Sequence, residues 1–205
     1  MRWREFTMKK FLLSLIVLVM IAIMASCSKE ELILTFEDIS ENTILVKSDG
    51  LIQAAIVEEF DKDYYSLSEL TEFIKKEVNA YNQEVGQEEV VIDDVLLKGG
   101  KAVVILSYSG MAHYSGFNNV RAAYFRSDIE KIPLQLPEKV VNIKKDELVS
   151  FDSALDGKNQ VLVLYEPYEV IVEGDIKYYS ENATIEGDNK ARSMGNDPTV
   201  IIYKH

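Results

Sequence analysis

Few side chains in this 205-residue sequence are of the types that do chemistry, so their spacing can be weighed one site at a time. There are two histidines, His113 and His205, and Ser107, Ser109 and Ser115 lie close to the first. Nucleophilic catalysis needs a hydroxyl activated by a neighbouring base, and only His113 could supply that base here. No Gly-x-Ser-x-Gly elbow accompanies it, which favours a loop histidine making one hydrogen bond. Asp61, Asp63 and Glu72 stand at positions 1, 3 and 12 of a calcium loop, but Tyr65 fills position 5 and Ser66 the turn position that glycine should hold. No metal and no cofactor is expected from this pattern. Glu77 and Glu84 are the remaining pair: seven residues apart on a helix they stand ~10.5 Å apart along its axis, too far for a shared proton. Glu77 is kept as a candidate perturbed acid, because it falls inside the apolar arc of that helix.

The one cysteine, Cys27, excludes an intrachain disulfide and multi-cysteine metal sites. It follows Arg2, Arg4, Lys9 and Lys10 and then a run over residues 11–25 that only Ser14 breaks. About 20 apolar residues are needed to span a bilayer as a helix, so fifteen ending in small residues read as a cleavable leader. Met24-Ala25-Ser26-Cys27 resembles the lipobox of bacterial lipoproteins, with Met24 where leucine is usual. That resemblance implies a signal peptide over residues 1–26 and a diacylated Cys27, with residues 27–41 as a tether. Met8, followed by two lysines, is an alternative start that would leave residues 1–7 untranslated.

The whole chain carries 22 Lys+Arg against 34 Asp+Glu, and without the leader the balance becomes −15 over 179 residues. A nucleic-acid partner is therefore not expected, since phosphate neutralisation needs clustered cations. Anionic headgroups should repel such a body, which would stand off the membrane on its tether.

The elements that must position these side chains are short strands and one good helix. Residues 43–47 and 51–58 flank Ser48-Asp49-Gly50, a tight hairpin turn. Ser66 and Glu69 have the spacing of a capping box, and apolar residues recur at helical intervals from Leu67 to Val85, where Gly86 stops the helix. Residues 90–97 and 102–108 form a second hairpin around Gly99-Gly100, apolar on both faces. One helix covers one face, so the second half of the chain is expected to cover the other. Strand candidates there are 161–165, 168–172, 176–179 and 200–203, with short helical turns at 112–119 and 127–132. The expectation is an α+β fold, an antiparallel sheet built from hairpins with one main amphipathic helix. A hairpin-helix-hairpin unit (42–132) and a β-rich unit (133–205) would pack as one body.

Glu59-Phe60-Asp61-Lys62-Asp63-Tyr64-Tyr65 running into Glu69-Leu70, the Tyr81-Asn82 pair, residues 108–118 and the closing Ile201-Ile202-Tyr203-Lys204 resemble a group of small uncharacterised lipoproteins of clostridia and related Gram-positive anaerobes. The resemblance implies attachment to the outer face of the cytoplasmic membrane and no particular activity. Tyr64, Tyr65, Tyr108, His113, Tyr114, Phe117 and Asn118 make a candidate binding surface for an envelope protein or small ligand, because tyrosine pairs an apolar ring with a polar tip. The expectation is a non-enzymatic, lipid-anchored binding or interaction module. The alternative is a small envelope hydrolase or acid/base enzyme using Glu77 or His113.

Overall fold

The computed structural model describes residues 32–126 and 134–205, except positions 38, 135 and 196. The expected leader over residues 1–26, Cys27 and the helical turn expected at 127–132 lie outside the described residues. The first hairpin joins β1 (Thr43–Val46) to β2 (Ile52–Glu59) in antiparallel register. Its turn works because Gly50 takes φ 95, a conformation that costs glycine little, while Asp49 accepts the N–H of Leu51 at 3.0 Å. The second joins β3 (Val90–Lys98) to β4 (Lys101–Tyr108), with Gly99 and Gly100 both at positive φ as a tight hairpin turn requires. Between Ile92 and Asp94 the register slips, and this bulge keeps Val90, Ile92 and Val95 directed at one core.

The long helix α1 (Leu67–Val85) begins where Ser66, in extended conformation, accepts the N–H of Glu69 at 3.3 Å. It ends at Gly86, whose left-handed φ of 80 lets its N–H reach the Asn82 carbonyl. Ser66→Ala should lower stability by about 1 kcal/mol by orphaning that amide. An unchanged midpoint in urea would contradict this role for Ser66.

The remaining elements are α2 (Met111–Asn118), β5 (Ala122–Arg126), β6 (Lys139–Asn142), β7 (Glu147–Ser150), α3 (Phe151–Ala154), β8 (Gln160–Leu164), β9 (Glu169–Val172), β10 (Asp175–Tyr179), β11 (Ala183–Ile185), β12 (Lys190–Ser193) and β13 (Thr199–Lys204). They assemble, among the described residues, into a seven-stranded sheet in the order β11-β12-β9-β1-β2-β4-β3 and a six-stranded sheet in the order β5-β8-β13-β10-β6-β7. The fold is α+β and mostly antiparallel, with β1 and β9 as a parallel pair. The two halves of the chain interleave: β9, β11 and β12 extend the sheet of the first hairpins, while β5 joins the sheet of the second half.

The main core lies between the sheets. Ile44, Val46, Ile52, Leu106, Tyr108, Val170 and Val172 of the first meet Leu162, Leu164, Ile201 and Tyr203 of the second, and Ile74 and Val78 of α1 join the same cluster. Helix and second sheet thus share one face of the first sheet. The second half does not cover the opposite face as expected; residues of the supposed tether do. Leu34, Phe36 and Ile39 pack on Ala55, Val57, Val103 and Ile105, and Ile39 is buried. Four apolar positions among residues 33–39 give this segment enough surface to bury, which a purely solvated tether lacks.

Polar groups then fix the segment in place. The Lys98 ammonium donates to the carbonyls of Phe36, Glu37 and Ile39 at 2.8–2.9 Å, and Gln53 accepts the Leu34 N–H at 2.7 Å. Arg192 grips Glu41 with two guanidinium nitrogens and holds its carboxyl below the usual carboxylate range. Residues 33–205 accordingly form one compact unit.

Candidate binding groove

Helix α1 carries more apolar surface than the fold buries. Ile74 and Val78 are buried and Leu70, Tyr81 and Val85 half-buried, but Phe73 is 60% exposed. Phe73, Glu77, Ala80, Tyr81 and Glu84 recur at three- and four-residue steps, so they form one stripe along the helix. That stripe is one wall of an open groove of about 400 Å³. Ile56 and Leu106 of the sheet also line it, together with Phe117 of α2. Apolar lining with two carboxylates at the margin suits a ligand that is itself amphipathic.

Two devices hold the walls in position. Asn82, one step along from Tyr81, donates to the Val90 carbonyl at 2.8 Å and accepts the N–H groups of Glu89 and Val90 at 3.0 Å, pinning α1 to the start of β3. Tyr81 meets Phe117 edge-on, with ring centroids 5.5 Å apart, and its hydroxyl lies 3.2 Å from His113 Nδ1. The other ring nitrogen of His113 is 3.5 Å from the Glu89 carboxylate, which also accepts the hydroxyl of Ser109. Gly116 leaves room where Tyr81 passes α2: a Cβ there would lie 2.9 Å from the Tyr81 oxygen, and the ring would have to shift.

This chain of contacts orders Ser109, Glu89, His113 and Tyr81 in a way that separates the serine from the imidazole. A hydroxyl nucleophile needs the reverse, with the base on the hydroxyl and the acid behind it. The Tyr81 hydroxyl is pushed above its ordinary phenol range, first by burial and then by Glu84 and Glu89, so it retains its proton. Glu77 is exposed at the groove margin, where water reaches its carboxylate.

The residues expected to form a binding surface separate into three sets. Tyr108 and Tyr114 are buried, which corrects their assignment to a surface. Tyr108 stands on the inner face of β4 opposite Ile52 and Val90, and Tyr114 meets it edge-on at 5.3 Å from the covered side of α2. Burial raises both hydroxyls well above the phenol range. Asn118 is half-buried and donates to the Tyr108 hydroxyl at 3.0 Å and the Tyr114 carbonyl at 2.9 Å, which makes it a core support. Tyr64 and Tyr65 are exposed in the loop before α1, where Tyr65 stacks on Phe60 at 4.8 Å and Tyr64 meets Tyr65 edge-on at 4.9 Å. Phe117 alone of the seven lines the groove, with His113 behind it on Tyr81.

Comparison with protein-family models, with curated proteins and with solved structures finds no match. Among the described residues no helix is long and apolar enough to cross a membrane, and no group of three or more His, Cys, Asp or Glu is placed to hold a metal ion. Asp61 pairs with Lys62 at 3.1 Å in the exposed loop where the calcium pattern failed.

The sequence contained the signal for the groove in its helical spacing. At 100° per residue from Leu70, Ala80, Phe73, Glu84 and Glu77 occupy one 60° sector beside the apolar stripe. A carboxylate alternating with an aromatic ring on one sector marks an edge that the core does not cover. Asn82 gives no such signal, because its three partner groups, on Glu89 and Val90, are brought near only by the turn that leads into β3.

Proposed function

We propose that this chain is a lipid-anchored extracytoplasmic envelope protein whose body presents the groove between α1 and α2 as a binding site. The observation that carries the binding part is the surplus apolar stripe on α1, with Phe73 left largely in water beside a preformed cavity. A side chain of that size is usually covered in a monomer, and an uncovered one beside a groove is a feature of interaction sites. The lipobox-like residues 24–27 support the anchor, and the outer face of the cytoplasmic membrane is the corresponding location.

Residues 33–39, packed across the sheet, form a strap at the near end of the body. Five residues separate Cys27 from Ile33, six backbone steps with a reach of about 20 Å at full extension. The chain joins the body on the face of β2 and β4 opposite the groove floor. A short anchor therefore leaves the groove free for partners beyond the membrane. Acid/base catalysis has less support from the same side chains, since Glu77 is exposed and His113 commits both ring nitrogens to Tyr81 and Glu89.

Nile red, an uncharged apolar dye, tests the groove directly. Its emission should rise on addition of the folded protein, and Phe73→Ser should cut that rise by about half or more through loss of the ring that caps the cavity. An equal rise with Phe73→Ser would place the dye elsewhere and remove the main support for the groove.

A further inference from the structure

We infer that the occupant of the groove is a cationic amphipathic helix of a partner protein, a reading that rests on the groove being the binding site. Glu77 and Glu84 are both exposed on the groove side of α1, and among the described residues neither has an ion-pair or hydrogen-bond partner. The lysines of the same helix do not pair with them: Lys75 and Lys76 lie with Glu72, Asn79 and Gln83 on the adjoining face, which meets the groove at Ala80, and Lys75 pairs with Glu72 at 3.0 Å. The margin is therefore negative while the lining is apolar.

The spacing narrows the choice of ligand. Two carboxylates ~10.5 Å apart along a helix axis match two cations seven residues apart on a second helix laid alongside. Apolar residues three and four positions after the first cation would then fall between them, against Phe73, Ala80 and Phe117. A second copy of this chain is a poor occupant, because it would bring another body of net charge −15 to an acidic margin. The chain's own strap is already spent on the opposite face of the sheet.

The test uses the full chain purified from its membrane in uncharged detergent micelles, with empty micelles as blank. The probe is a fluorescein-labelled peptide of about 16 residues, long enough to form a helix, with Lys seven residues apart and Leu between them. A second peptide carries Gln for Lys. The Lys peptide should bind with an anisotropy change that weakens as salt is raised, and the Gln peptide roughly tenfold less tightly. Glu77→Gln combined with Glu84→Gln should weaken the Lys peptide by the same factor and leave the Gln peptide unchanged, and Phe73→Ser should weaken both. These positions are exposed, so thermal melts should superimpose.

If both peptides bind equally and the double variant changes nothing while Phe73→Ser weakens both, the cationic assignment falls and the groove stands. If neither peptide binds at millimolar concentration, or Phe73→Ser binds both as the parent does, the groove reading falls with it.

Discussion

Leu162→Ala should lower the stability of the body by about 3–5 kcal/mol, the upper part of the range for a leucine truncated in a rigid core. Leu162 is fully buried at the middle of β8, which is paired on both sides, by β5 and by β13. Its side chain faces the first sheet in the same cluster as Ile44, Val170 and Ile201. Two hydrogen-bonded neighbours prevent the backbone from moving inward, so the missing atoms leave a cavity and not a collapsed layer. A shift of the urea midpoint without change in slope is the expected record. Leu148→Ala provides the contrast: it is half-exposed on the edge strand β7 and should shift stability by less than about 0.5 kcal/mol. Equal losses at the two positions would mean that the space between the sheets is not the main core.

How much of this fold could be read from the chain depends on how local each signal is. Both hairpins and α1 were legible to within a residue or two, because Asp49-Gly50, Gly99-Gly100, Ser66 and Gly86 specify their own turns and caps. Residues 122–126, 139–142, 147–150, 183–185 and 190–193 carry no comparable local signal, although the structure makes them strands. Four of these five segments are only three or four residues long, and residues such as Lys190, Arg192, Lys139 and Glu147 fall within them. Partner strands drawn from distant parts of the chain make them extended, which no local propensity reports. The parallel pairing of β1 with β9 belongs to the same class, joining Thr43 to Glu169 across more than half the sequence.

The candidate site was legible in part for a related reason. A helical wheel places Phe73, Glu77 and Glu84 on one sector, so the stripe could be read; whether a sheet covers that sector is a tertiary fact. Tyrosine is ambiguous in another way. Its ring suits a core and its hydroxyl suits water, so composition could not separate buried Tyr108 and Tyr114 from exposed Tyr64 and Tyr65. Asn118 decides the matter for Tyr108, since its amide supplies the partner that lets that hydroxyl remain buried. The segment 33–39 is ambiguous for the opposite reason. Leu34, Phe36 and Ile39 lie among polar residues, and only the uncovered Val103 and Ile105 give them somewhere to pack.

Cys27→Ser should abolish lipid attachment altogether, the largest functional change available by one substitution. The chain has no other thiol, and a serine hydroxyl is not the nucleophile that thioether formation requires. Each buried methylene contributes ~0.8 kcal/mol, so two acyl chains hold a protein on a bilayer where one binds only marginally. Fractionation alone is a poor readout, because an uncleaved apolar run over residues 11–25 could still retain the variant in the membrane. Radiolabelled fatty acid and intact mass separate the cases: the parent should be labelled and begin at an acylated Cys27, and the variant should carry no label. A labelled variant, or an unlabelled parent retaining residues 1–26, would overturn the anchor. The body should melt at the same temperature in both, since the strap that fixes its near end begins at residue 33 and depends on Lys98, Gln53 and Arg192 rather than on the lipid. Under the proposed function anchor and groove are in this way separable: losing the first should change where binding occurs, and losing the second whether it occurs.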